Sequence, residues 1–195
     1  MSSEMMRKLL MLFLLAAVIP AAHAHPFHAE ASGFPAGLAH PLGGLDHLLA
    51  MLAVGLWSAW AVPQQKFVLP LAFLTAMAGG ATLALSGLTL PFVEPGIGVS
   101  VLVLGLLLAG LVRLPLAAGA GLVSVFALFH GVAHGAGLPE AASPYGYAAG
   151  FLLATGLLHL AGIAIGTRLA QQRTWWLRAI GTAMGLSGLW LLAGA

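Results

Sequence analysis

Apolar residues run along this chain in long blocks, interrupted only by proline, glycine and a few charges. Beyond residue 24, six blocks fall at about 38–61, 67–89, 94–112, 114–134, 145–169 and 175–194. Each is close to the ~20 residues that a helix needs to cross a bilayer. The joins are short, which predicts sequential helices packed as antiparallel neighbours. Glycine recurs at four-residue spacing in Gly131/Gly135, Gly146/Gly150, Gly162/Gly166 and Gly181/Gly185. Small residues at that spacing let helix backbones approach closely inside lipid.

The first apolar stretch is of another kind. Arg7 and Lys8 precede Leu9 to Ile19, followed by Pro20 and then Ala22-His23-Ala24. A basic start, a short apolar stretch and an A-x-A-like site make a secretory signal, and the stretch is too short to span ~30 Å comfortably. Cleavage is expected after Ala24. Residues 1–24 are then a signal peptide and residues 25–195 a transmembrane domain. The expected fold class is all-α, a polytopic membrane protein with six transmembrane helices.

Composition agrees. The 195 residues are 61% hydrophobic and only 6% charged, where soluble domains carry roughly a quarter charged residues. Mean hydropathy is +1.02. The net charge of +2 does not indicate a nucleic-acid partner, because the basic residues are scattered at helix ends and form no patch. Cysteine is absent, so a metal site must use nitrogen, oxygen or thioether ligands.

Lys66, Arg113, Arg168, Arg173 and Arg178 all fall on one side of an alternating six-helix topology. The positive-inside rule makes that side cytoplasmic and the mature N-terminus external. Glu30, Glu94 and Glu140 then make the outer face mildly anionic, able to concentrate cations. Trp57, Trp60, Tyr145, Tyr147, Trp175 and Trp176 read as interfacial anchors.

Candidate chemistry lies in eight histidines and a single aspartate, Asp46. The first helix carries His40, Asp46 and His47; on a straight helix the two histidines share an azimuth two turns apart. Asp46 points about 100° away from His47 unless Gly43-Gly44 bends the backbone. After such a bend it contacts a metal; otherwise it accepts a hydrogen bond from a ligating imidazole. Pro41 is expected in the first turn, where its missing N–H costs little. The fourth helix ends with His130 and His134, an i, i+4 pair that can share a metal. In the inferred topology both motifs lie in the outer part of the membrane. An intramembrane aspartate costs about 2.5–3.5 kcal/mol on insertion scales and so needs a partner or a task.

Other residues have two readings. Met51 is an i, i+4 neighbour of His47, either an auxiliary ligand or a packing thioether. His25 and His28 are a polar tail or a capture point at the entrance. Glu140 is a gate or a solvated loop residue. His159 is a packing residue, or a second waystation or proton relay in the inner half of the fifth helix.

His40 to Met51, HPLGGLDHLLAM, followed by AVGLW, resembles the first motif of the HupE/UreJ family of nickel/cobalt permeases. FHGVAHG at Phe129 to Gly135 resembles that family's second motif, and LLHLAGIAIG at Leu157 to Gly166 its fifth-helix pattern. The likeness covers essentially the whole mature chain. It implies metal contacts at His40, Asp46, His47, His130 and His134. It further implies uptake of nickel or cobalt across the bacterial inner membrane, with the mature N-terminus periplasmic. No catalytic residue and no prosthetic group are expected, the metal being cargo. The expected partners are the divalent ion and the lipid bilayer, with a homo-oligomer and delivery to nickel-enzyme maturation proteins left open. The family's second motif often continues with a glutamate two residues after its final glycine. Gly137 stands there in this chain, leaving Glu140 as a substitute from the loop.

Two other classes compete with transport. An intramembrane zinc-dependent hydrolase needs a separate general acid or base, and none is evident. A haem-type or accessory metal-binding subunit without transport would use the same imidazoles. Because neutral imidazole is the ligand, histidine-mediated uptake is expected to weaken below about pH 6. Radiometal uptake indifferent to pH between about 5 and 8 would speak against histidine ligation at the slow step.

Overall fold

The structure is a computed structural model, and it describes residues 33–136 and 143–194. The expected signal peptide, His25, His28, Glu30, Gly137 and Glu140 lie outside the described residues. Within them the chain forms α-helices: α1 (Phe34–Gly43), α2 (Leu45–Ala61), α3 (Val68–Leu85), α4 (Val93–Ala109), α5 (Leu116–Ala136), α6 (Pro144–Gln172) and α7 (Trp175–Ala193). A short 3-10 turn, Pro63–Gln65, links α2 to α3.

Four helices, α3, α5, α6 and α7, are long and apolar enough to cross a membrane. Their outward faces carry large apolar side chains, among them Leu71, Leu157 and Leu186, each more than half exposed. Water would penalise such a surface, whereas acyl chains match it. The first expected span is broken: α1 and α2 meet at 86°. At 17 residues α4 is a shorter apolar helix, about 25 Å long at 1.5 Å per residue.

Helix partners differ from the expectation. Close packing joins α3 to α5, α4 to α7 and α6 to both α1 and α2, while sequential helices touch less. Small residues decide the pairing, because backbones approach only where no Cβ intervenes. Gly80 of α3 faces Leu128 and Gly131 of α5, and Gly135 of α5 faces Ala81 and Ala84, so this pair runs parallel. Gly55 of α2 faces Gly162 of α6, and Gly166 faces Leu56 and Ala59, again in parallel. Gly105 of α4 meets Gly181 and Gly185 of α7, with Gly188 against Leu102, which makes that pair antiparallel. A glycine from each four-residue pair thus sits at a helix contact. Loop length limits which helices can be neighbours, but the glycine faces select among them.

One end of the bundle is tied by tryptophan. Trp57 Nε1–H donates to the Val112 carbonyl (2.9 Å) and Trp60 Nε1–H to that of Leu111 (3.0 Å). The Arg113 guanidinium lies 4.4 Å from the Trp60 ring centroid. Leu111 itself is left-handed (φ 53°) and closes α4, where the Val112 N–H bonds the Leu107 carbonyl and the Leu111 N–H that of Leu108. Trp57 is fully buried, so it is a structural clamp where an interfacial anchor was expected. Tyr147 is likewise buried, while Tyr145 and Trp175 are exposed. The clamp joins the C-terminal ends of α2 and α4. Through the Gly166–Ala59 and Gly181–Ala109 contacts it also brings the end of α6 and the start of α7 to that side. Lys66, Arg113, Arg168, Arg173 and Arg178 are on or beside those helix ends. The histidine motifs belong to the opposite ends of α2 and α5.

Candidate metal centre

The site begins with a break in the backbone. Gly44 is extended (φ −108°, ψ 124°) and turns α1 into α2. On a straight helix His40 and His47 would be about 10 Å apart along the axis. The turn brings their ring centroids to 6.4 Å. Pro41 sits inside α1 near its end; Pro35, not Pro41, occupies the first turn. The helix reaches back to Phe34 because Gly37 and Gly150 let α1 pack directly on α6.

Restarting at Leu45 puts Asp46 in the first turn of α2, where exposed N–H groups favour a carboxylate. Its Oδ1 accepts the His47 backbone N–H (2.8 Å) and the His47 Nδ1–H (2.7 Å). A carboxylate accepts only, so the imidazole proton stays on Nδ1 and the lone pair on Nε2. Asp46 therefore touches the ring that could bind metal, on the side away from the lone pair.

The second half comes from α5, where the i, i+4 spacing puts His130 and His134 on one face. Ser100 of α4 gives its hydroxyl proton to the Ile97 carbonyl (2.6 Å) and so accepts from His130 Nε2–H (3.0 Å). That leaves the His130 lone pair on Nδ1. His47 Nε2, His130 Nδ1 and His134 Nε2 are each buried without a hydrogen-bond partner. Such an atom costs roughly 1–3 kcal/mol when left unsatisfied.

The three rings converge. Their centroids are 4.9 Å apart for His47 and His130, and 4.3 Å for His47 and His134. One ring nitrogen from each lies within 4.8 Å of the others. Three imidazole nitrogens sharing one ion at ~2.1 Å stand about 3.4–3.6 Å apart in tetrahedral or trigonal geometry. A closure of up to about 1.4 Å between ring nitrogens would let the rings share an ion.

Aromatic walls surround the cluster. Phe151 lies 4.0 Å from His134 and Phe73 5.6 Å from His130, centroid to centroid. Beside His134 and Tyr147 a cavity of about 400 Å³ opens between α3, α5 and α6.

Of the five expected ligands, His47, His130 and His134 are brought together. His40 is exposed at the rim, its ring 4.7 Å from that of His134 and 5.7 Å from Tyr147. Asp46 belongs to the support of His47. Met51 is fully buried in the core of α2. His159 is also buried, outside the three-histidine group. Sequence reasoning missed Ser100, Phe73 and Phe151. A serine or phenylalanine in an apolar helix carries no spacing signal, and only tertiary packing points it at a histidine.

The HupE / UreJ protein family matches residues 12–191. Protein HupE of Rhizobium leguminosarum bv. viciae is 44% identical over 175 residues, covering 89% of this chain and 91% of that protein. No solved structure matches the chain. The family match and this identity, both spanning most of the chain, show that it belongs to the HupE/UreJ family.

Proposed function

We propose that this protein imports nickel or cobalt ions across the bacterial inner membrane by secondary transport, with His47, His130 and His134 as the central binding site. The observation that carries the reading is the convergence of three buried, unpartnered imidazole nitrogens from two helices. Imidazole suits nickel and cobalt, and family membership accords with that cargo. Three ligands leave part of an ion's coordination shell to water. Incomplete dehydration lets the ion enter and leave, as a carrier requires and a structural zinc site does not.

In this reading α1 and α2 together form the first of six spans and α4 the third. The basic helix ends face the cytoplasm, and the histidine cluster lies beneath the periplasmic surface. Irregular backbone at Gly44 is tolerable at that depth because it lines the site. His40, exposed beside His134, receives the ion from solvent, with Asp46 holding the His47 tautomer. His25, His28 and Glu140 are placed at the entrance by sequence position alone. The metal is cargo, and the transport step needs no prosthetic group.

The membrane potential supplies the drive. A divalent cation moving inward gains about 4.6 kcal/mol per 100 mV, over three decades of concentration ratio. Proteoliposomes made inside-negative by a potassium gradient are therefore expected to accumulate radioactive nickel, and to lose that accumulation when the potential is collapsed. Vesicles that bind nickel but never accumulate it would assign the protein an accessory role.

A further inference from the structure

The mechanism above leaves one buried polar pair on α6 without a task. Thr155 and His159 are at most 1% exposed. Thr155 Oγ1 and both ring nitrogens of His159 have no hydrogen-bond partner. Most hydroxyls in these helices behave differently, although Thr167 Oγ1, further along α6, also lacks a partner. Thr75, Thr82, Thr182 and Ser187 each donate to the carbonyl four residues earlier, at 2.8–3.0 Å. That bond is the ordinary way to satisfy a hydroxyl in an apolar helix. Thr155 does not make it. Its position one turn before His159 puts the hydroxyl and the imidazole on the same face of α6.

The pair is joined to the outer cluster through a single ring. Phe73 of α3, fully buried, packs 5.6 Å from His130 and edge-on 5.2 Å from His159, centroid to centroid. The backbone of His159 lies against Gly55 of α2, eight residues beyond His47 and so about 12 Å further along that helix. The displacement is toward the bundle end that carries the basic residues. A neutral imidazole has one donor and one acceptor, and burying both unpaired is costly unless something binds there.

We propose that Thr155 and His159 form a second, inner station for a divalent transition-metal ion, separated from the outer histidine cluster by Phe73. This rests on the transport reading, and it specifies the next stop on the inward path. His159 supplies a ring nitrogen and Thr155 a hydroxyl oxygen, a donor set weaker than three imidazoles and suited to release.

Equilibrium dialysis of the purified full-length protein against cobalt tests the stoichiometry. The wild type is expected to bind two equivalents. His47→Ala should remove one and leave the other, while His159→Leu should remove the one that His47→Ala leaves. Thr155→Val, nearly isosteric, should weaken the inner equivalent at least tenfold and keeps the test decisive if His159→Leu does not fold. Reconstituted His159→Leu is further expected to import nickel at least tenfold more slowly while retaining the outer equivalent. One equivalent in the wild type, abolished by His47→Ala, would overturn the inner station and leave the outer site standing. Cobalt binding indifferent to His47→Ala would instead defeat the outer site. Wild-type uptake by His159→Leu would remove the inner station from the path.

Discussion

His47→Ala is expected to reduce cellular nickel and cobalt accumulation at limiting metal to the level of cells lacking the protein, with little change in the amount of protein in the membrane. The substitution deletes one of three converging nitrogens and leaves the Asp46 carboxylate without its imidazole partner. Losing only an outer-shell partner typically costs 10–100-fold in metal affinity, about 1.4–2.8 kcal/mol, and losing a ligand should cost more. Folding should survive, because His47 is only partly buried and sits beside the helix break at Gly44. Radiometal accumulation, normalised to protein by immunoblot, measures the effect. Normal accumulation at limiting metal would defeat the assignment of His47.

The second large effect is on stability. Gly131→Leu is expected to yield no folded protein, and Gly131→Ala to lower stability by at least ~1–3 kcal/mol, the usual cost of overpacking. A Cβ at Gly131 would strike the Met77 carbonyl and come within 2.9 Å of the Ala81 nitrogen. Both are backbone atoms of α3, which cannot swing aside as a side chain would. Any separation of α3 from α5 would also shift His130, the adjacent residue. Gly121, on the same helix, has nothing within 4 Å of a Cβ. Gly121→Ala should be neutral or gain up to ~1 kcal/mol from helix propensity. Thermal unfolding in detergent separates the two: a Gly131→Ala protein that melts with the wild type would refute close approach as the basis of pairing.

Much of the helical layout was legible, because length and apolarity mark each block almost independently of tertiary structure. The break between α1 and α2 was only half legible. Gly43-Gly44 signalled a weak turn, but not that the chain would bend by 86°. Periodicity on a straight rod therefore separated His40 from His47 too widely, whereas Asp46 and His47, both beyond the break, keep their helical spacing. The pair His130 and His134 was easier to place, since an uninterrupted helix keeps i and i+4 on one face. Partner choice among helices was not readable from loop lengths. Glycine rows such as Gly162/Gly166 mark a close face without naming the helix that covers it. Trp57 misled for a related reason: tryptophan near a helix end suits an interface, yet here the Val112 carbonyl accepts its N–H and the ring is buried.

X-ray absorption at the nickel edge, on the purified full-length protein loaded with one equivalent of nickel, reads the donor atoms themselves. About three imidazoles are predicted at roughly 2.0–2.1 Å, visible through multiple scattering from the rings, with oxygen in the remaining positions and one imidazole lost in His134→Ala. A shell of oxygen donors without imidazole scattering, or a spectrum unaltered in His134→Ala, would contradict metal binding by the three-histidine cluster.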